Sequence, residues 1–255
     1  MGISKYFSSA GRSQARLERL IRKVENRYAQ SGDRYDAMQR LLKINTVPAV
    51  IGLLRRFTIA SSKSIEDEEE KGWIYRRLTG LEPAMVLSAV KQHCLSSEII
   101  ESDGPERQAG WGWALRIVED LADEDQEWDI LNALLEKHPP GYERNPAKKL
   151  QLLTHLSEID NPRVPDILAS YLEDQDENLR FYCVESLVDI ADERSIEPLV
   201  KRLGNADEDS LRLRTAILNG LARNKWDVSA HAGLIRQNLG SEGHKFNGTH
   251  VIAPT

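Results

Sequence analysis

Cysteine is nearly missing: 255 residues hold two, Cys94 and Cys183, and they lie far apart. That excludes a disulfide framework and a Cys-x-x-Cys metal or redox site. No run of about 18 apolar residues occurs, which excludes a membrane-spanning helix. There is no apolar signal region at the N-terminus, so the expected compartment is the reducing cytoplasm. Met1-Gly2-Ile3-Ser4-Lys5-Tyr6 places Tyr where a myristoylation signal requires Ser or Thr, so no lipid anchor is expected. Aromatic residues make up only 6% of the chain, charged residues 29%, and no segment alternates apolar and polar residues as a strand does. Such a composition suits exposed helices.

The motifs of common chemistries are missing too. None of the six histidines (His93, His138, His155, His231, His244, His250) precedes a Glu, and there is no His-Glu-x-x-His, phosphate-binding glycine loop or nucleophile elbow. Gly110-Trp111-Gly112-Trp113 precedes a helical pattern with no strand before it, so it is not a dinucleotide fingerprint. Its two Trp read as packing against a neighbouring helix pair, with an aromatic ligand platform as the competing reading. Carboxylates are too numerous for any two to be singled out as acid and base. The expectation is no catalytic residue, no metal and no cofactor. Cys183 falls among apolar helix positions and reads as core, whereas Cys94 closes a helix and reads as open to solvent.

What is present is helical periodicity, clearest from Asn145 to Gly240. Leu152, Leu153, Leu156 and Ile159 run into Asp160-Asn161-Pro162-Arg163-Val164-Pro165, and Ile167, Leu168, Tyr171 and Leu172 restart the period. Val184, Leu187, Val188 and Ala191 run into Asp192-Glu193-Arg194-Ser195, followed by Ile196, Leu199, Val200 and Leu203. Leu213, Ala216, Ile217 and Leu221 turn around Asn224 to Ser229 and resume with Leu234, Ile235 and Leu239. Asp or Ser in such turns caps the next helix, and Pro165 and Pro198 sit in a first turn, where a missing N–H costs nothing.

This pattern resembles HEAT repeats, including the degenerate bacterial kind called phycobilin-lyase-like. Arg180, in Glu177-Asn178-Leu179-Arg180 at the head of a first helix, matches the arginine such repeats often carry, and Asp192 matches the usual aspartate after it. The resemblance covers 145–240 well and weakens upstream. It implies an all-α fold, an α-solenoid in a right-handed superhelix, and by itself no activity. The His-Glu pairs by which HEAT-type deoxyhypusine hydroxylases hold iron are missing, which disfavours a metal oxygenase.

Upstream the same design continues in weaker form, through Met38 to Phe57, Trp73 to Val90, and Ala114 to Leu134. Second helices are then expected near Pro48, Pro83, Trp128, Pro165, Pro198 and Gly233, spaced 33 to 45 residues apart. The count is about six HEAT-like hairpins over 33–240 behind a basic N-terminal segment and capping helix over 1–32. Polar interruptions fall at Ser61 to Glu70, with the acidic run Glu66 to Glu70, at Ser96 to Gln108, and at Lys137 to Pro146. The acidic run reads as a helix start, where negative charge suits the dipole. The Pro139-Pro140-Gly141 loop reads as a hinge near 137–146 or as a stop and restart. The tail, 241–255, is poor in apolar residues and is expected to be flexible.

Charge divides the chain. Residues 1–60 hold 12 Lys/Arg against 4 Asp/Glu, and the rest hold 22 against 36. Leu17, Leu20, Ile21, Val24 and Tyr28 fall at helical spacing with Arg16, Arg19, Arg22, Lys23 and Arg27 around them. One reading is a solenoid cap whose stripe covers the first repeat. The other is a helix that contacts an acidic partner, nucleic acid or an anionic lipid surface.

Stacked hairpins set their second helices side by side, so outward residues there form one face, concave in most solenoids. The candidates for partner binding on it are Arg55, Arg56, Lys91, Gln92, Asn132, Ser170, Lys201, Arg202 and Arg236, interspersed with Glu136, Glu173 and Gln237. The mixture of signs disfavours nucleic acid, since each carboxylate opposes a phosphate. The favoured function is a non-enzymatic scaffold or adaptor holding a protein or peptide. The alternatives are a lyase-like enzyme or chaperone for a tetrapyrrole, implied by the resemblance, and a nucleic-acid-binding helical-repeat protein.

Overall fold

Residues 9–60, 64–96, 110–240 and 242–254 are described by the computed structural model, and over them the chain forms thirteen α-helices and one small hairpin. The first six residues and the insertion after Ser96 lie outside these residues. The chain divides into two compact units, with the boundary between Lys137 and His138.

The first unit holds α1 (Ser9–Glu25), α2 (Ser31–Ile44), α3 (Val47–Leu54), α4 (Ser64–Leu78), α5 (Pro83–Leu95), α6 (Trp111–Leu121) and α7 (Glu124–Lys137). Helix α1 lays Leu17, Leu20 and Val24 on α2 and α3 and leaves its cations in solvent. Close approach to α3 is possible because residue 52 is Gly: a Cβ there would stand 2.6 Å from Ile21 Cγ1. Helix α2 stops at Asn45 in the left-handed region, φ 50°, and α3 restarts with Pro48 in its first turn. Glu82 caps α5 by accepting from the N–H of Ala84 and Met85, at 3.1 and 2.8 Å. Helices α2, α4 and α6 pack side by side, as do α3, α5 and α7.

The second unit holds α8 (Ala147–Ser157), α9 (Val164–Ser170), α10 (Glu177–Ile190), α11 (Ile196–Leu203), α12 (Leu211–Arg223) and α13 (Ala232–Gln237). Asp176 caps α10 through the Leu179 N–H at 2.9 Å, and Ser210 caps α12 through the Leu213 N–H at 3.1 Å. Helix α10 lies between α8 and α12, and it approaches α12 where residue 220 lacks a side chain: a Cβ would sit 2.2 Å from Val188 Cγ2.

Six hairpins plus an N-terminal helix is the number the periodicity gives, and the second helices begin at Val47, Pro83, Glu124, Val164, Ile196 and Ala232. Helix α7 starts before the expected Trp128 because Asp123 and Gln126 form a reciprocal capping box. Asp123 Oδ1 accepts from the Gln126 N–H at 2.9 Å, and Gln126 Oε1 accepts from the Asp123 N–H at 3.2 Å.

Where a flexible tail was expected at 241–255, residues 242–254 instead turn back on α12. Strands β1 (Lys245–Phe246) and β2 (Val251–Ile252) pair antiparallel, Val251 is buried, and the Val228 N–H donates to the Thr249 carbonyl at 2.9 Å. Val251, the buried His244, whose ring Nε2 pairs with Asn219 Oδ1 at 2.8 Å, and the bond to Val228 are too scattered to show as a periodic pattern.

Candidate partner-binding face and its buried ionic joints

The nine candidate side chains divide by what they touch. Gln92, Asn132, Ser170, Lys201 and Arg236 are exposed. Lys91 reaches across to Asp129 of α7 at 2.6 Å, and Arg236 lies 5.4 Å above the ring of Phe246. Arg55 is partly covered and pairs with Glu25 at 3.4 Å. Arg56 and Arg202 do not belong to any partner-binding face, for they are 1% and 6% exposed.

Their guanidinium groups are spent on buried glutamates. Arg56 Nε donates to Glu70 Oε2 at 2.8 Å, and Arg34 from α2 grips the same carboxylate through Nε and Nη2, each at 2.9 Å. Arg56 Nη2 continues to Asp67 Oδ1 at 2.5 Å, and Lys71 Nζ donates to Asp67 Oδ2 at 2.6 Å. Burial by itself would raise Asp67 and Glu70, but the hydrogen bonds from these cations outweigh it and hold both carboxyls below their usual range. The acidic run is therefore more than a favourable helix start, because two of its five members point inward. In the second unit Glu208 receives Arg180 Nε at 2.9 Å and Arg202 Nε at 2.8 Å. It too is held low against the opposing pull of burial.

Both joints follow one plan. Arg34 and Arg180 are the fourth residues of their first helices, and Arg56 and Arg202 lie twenty-two positions later, just past the end of α3 and in the last turn of α11; the glutamate comes from the next hairpin, Glu70 from within α4 and Glu208 from the loop before α12. The fourth-position arginine also turns back to the carbonyls of the preceding loop. Arg34 Nη1 reaches Ala29 O at 2.5 Å, and Arg180 Nη1 reaches Asp174 O at 2.9 Å. Arg214, fourth in α12, does the same with Glu208 O at 2.7 Å from Nη2. Loop carbonyls that no helix satisfies find donors this way. The equal spacing of the two arginine pairs was readable from the sequence, but charge alone did not mark them as buried.

Other sequence features resolve as packing. Trp111 is 1% exposed, and Trp113 stacks on Phe57 with ring centroids 5.8 Å apart. Gly110 has φ 72°, and a Cβ would stand 2.9 Å from the Phe57 carbonyl carbon, so the glycine lets α6 begin against the turn that follows α3. Cys94, expected to be open to solvent, is fully buried, as is Cys183, whose thiol burial pushes far above its ordinary value. The proline-rich loop is fixed to its own unit: Asp174 Oδ2 accepts from the Gly141 N–H at 2.9 Å and from Lys149 Nζ at 2.7 Å, while Lys149 also donates to Gly141 O at 2.7 Å.

Among the described residues no three His, Cys, Asp or Glu side chains stand close enough to hold a metal ion, and no helix is long and apolar enough to cross a membrane. Open grooves of about 480 Å³ and 570 Å³ lie between α1 and α3 and between α12 and the C-terminal hairpin.

No curated protein matches the chain significantly. Residues 141–219, which run from the loop before α8 into α12, match the family of HEAT repeats. The matched segment lies within the second unit and is similar to HEAT repeats, in keeping with the helical hairpins packed side by side there.

Proposed function

We propose that the protein is a scaffold without catalytic activity of its own, which holds a protein or peptide partner on the exposed face of its second helices. One observation carries this reading. Within each unit second helices lie side by side, α3, α5 and α7 in the first and α11 with α13 in the second, and outward positions of second helices carry exposed hydrophilic side chains: Gln92 and Asn132 in the first unit, Ser170, Lys201 and Arg236 in the second. Such a surface supplies adaptable hydrogen bonds and charge pairing over several helices without a built chemical centre.

The test is affinity capture with wild type against a Lys201→Glu/Arg236→Glu variant. Arg202 is left alone because its reversal would break a buried joint rather than a surface. Wild type is expected to retain one or more partners that the variant loses, with unchanged circular dichroism. Equal capture by both of every partner would refute the second-unit face.

A further inference from the structure

In the second unit the last two first helices repeat at a fixed step. Helix α10 begins at Glu177 and α12 at Leu211, thirty-four residues later, and each is capped from the residue before it. Counting by that step sets Ala222 in the place of Val188, Arg223 in that of Asp189 and Lys225 in that of Ala191. The backbone keeps the same register, since Ala191 and Lys225 are both left-handed, at φ 58° and 52°. This end of α10 is where α12 seats itself, with Gly220 against Val188 and Arg223 on Asp189 at 2.6 Å. At the corresponding end of α12 no further helical hairpin follows among the described residues.

The C-terminal strands turn back on α12 without filling that place, and an open groove of about 570 Å³ is left. Its surface is largely apolar, supplied by Ala222 of α12 and by Val251 and Ile252 of β2, and Ile252 is 45% exposed. Arg223, Lys225 and His250 also line it, and among the described residues no carboxylate does. Asp189 holds Arg223, and Asp227 lies within electrostatic reach of His250. No hydrogen bond or ion pair joins the Lys225 side chain to another described residue. An apolar trough whose charged groups are all basic, one of them free, complements an apolar side chain that stands next to a carboxylate.

We infer that this groove receives a peptide segment of a partner protein in which bulky apolar residues adjoin Asp or Glu, the apolar side chain lying against Ile252 and the carboxylate on Lys225. The incoming segment repeats on α12 what α12 does on α10: it buries apolar atoms at one position and pairs charge close beside it. A small molecule fits less well, because such ligands bury most of their surface and this groove is open to solvent. A nucleic-acid backbone fits less well, because it draws on many cations and little apolar surface. A whole further helix is blocked by the hairpin, whose His244 is already paired with Asn219, one turn before Ala222. The groove shares no residue with the second-helix face tested with Lys201 and Arg236, so either inference can fail without the other.

The experiment uses the full chain and a set of short synthetic peptides that permute leucine, phenylalanine and glutamate, fluorescein-labelled at the N-terminus and amidated at the C-terminus. Binding is read by fluorescence anisotropy at physiological ionic strength. At least one peptide is expected to bind, and its counterparts with glutamine for glutamate or serine for the apolar residues about tenfold more weakly. Lys225→Glu should weaken binding about tenfold and Lys225→Gln about threefold, with the thermal melt unchanged. Ile252→Ser should weaken it about fivefold. Should that change loosen the hairpin, Ala222→Glu, which leaves the hairpin sequence intact, is expected to weaken binding about tenfold. No binding by any peptide of the set, equal binding of the glutamine or serine counterparts, or indifference to Lys225→Glu and Ala222→Glu would each overturn the proposal. Tighter binding of dodecanoate or oligo-dT than of the peptides, or a dimer in sedimentation that Lys225→Glu dissolves, would overturn it as well.

Discussion

Replacing Glu70 by alanine tests the ionic joint of the first unit. The carboxylate is 1% exposed and accepts from Arg34, Arg56 and Ser31, so its loss leaves two buried guanidinium groups facing each other with only Asp67 nearby. Breaking a buried pair by removing one partner costs about 3–5 kcal/mol. Against a typical domain stability of about 5–15 kcal/mol, that is a large fraction. The neighbouring Glu69 is exposed, and Glu69→Ala should change stability by less than about 0.5 kcal/mol. Urea unfolding followed by tryptophan fluorescence reports mainly on this unit, which carries Trp73, Trp111, Trp113 and Trp128, against Trp226 in the other. The acid limb gives a second reading. Both Glu70 and Asp67 are held below their ordinary values, so their contribution is complete above the unfolded carboxyl range and is lost as pH falls through the lowered folded values. Glu70→Ala should flatten that limb. Replacing all three of Arg34, Glu70 and Arg56 with apolar residues of similar size should cost less than the single change, since no charge is then left unpaired. A Glu70→Ala protein as stable as Glu69→Ala would refute the joint as a source of stability.

Three further outcomes are expected. Gly220→Ala should destabilise the second unit by about 1–3 kcal/mol, because its Cβ would fall 2.2 Å from Val188 Cγ2, and Val188→Ala in the same chain should recover part of the loss in a thermal melt. Asp176→Ala removes the cap on the Leu179 N–H and should cost about 1 kcal/mol by urea titration. Burial holds His244 below its ordinary value against a smaller opposing pull from Glu242, so the neutral ring favours the folded hairpin. That contribution is complete above about pH 6.5 and is lost progressively as pH falls below it, so exchange of the Val228 amide should be faster at acid pH than its intrinsic rate predicts.

The hairpins were legible because apolar residues recur at helical spacing wherever one hairpin covers the next. Leu152, Leu153 and Leu156 are all fully buried, and so are Leu213, Ile217 and Leu221. Helix starts were legible where proline or an isolated Asp marked them. At α7 the start is set by the polar Asp123–Gln126 box, which carries no apolar period, whereas the buried residues begin only at Trp128. The C-terminal hairpin left almost no periodic trace, since two strands of two residues bury one side chain between them.

The candidate face was less legible for a specific reason. Helical periodicity separates apolar from polar positions, but Arg202 and Lys201 are adjacent and equally polar, and only the first is buried. What distinguishes them is a partner carboxylate at position 208, which lies in a loop and belongs to no helical pattern. The pairs Arg34/Arg56 and Arg180/Arg202 show that the ends of a hairpin can be closed by charge where the middle is closed by apolar side chains. Helix α4 keeps such a joint with the signs exchanged: its fourth residue is Asp67, and it accepts from Arg56 and Lys71 where α2 and α10 carry a donating arginine. At the fourth residue of α2, α4 and α10, position within the hairpin, more than the sign of the side chain, therefore brings a charged residue inward, where a partner of opposite sign meets it.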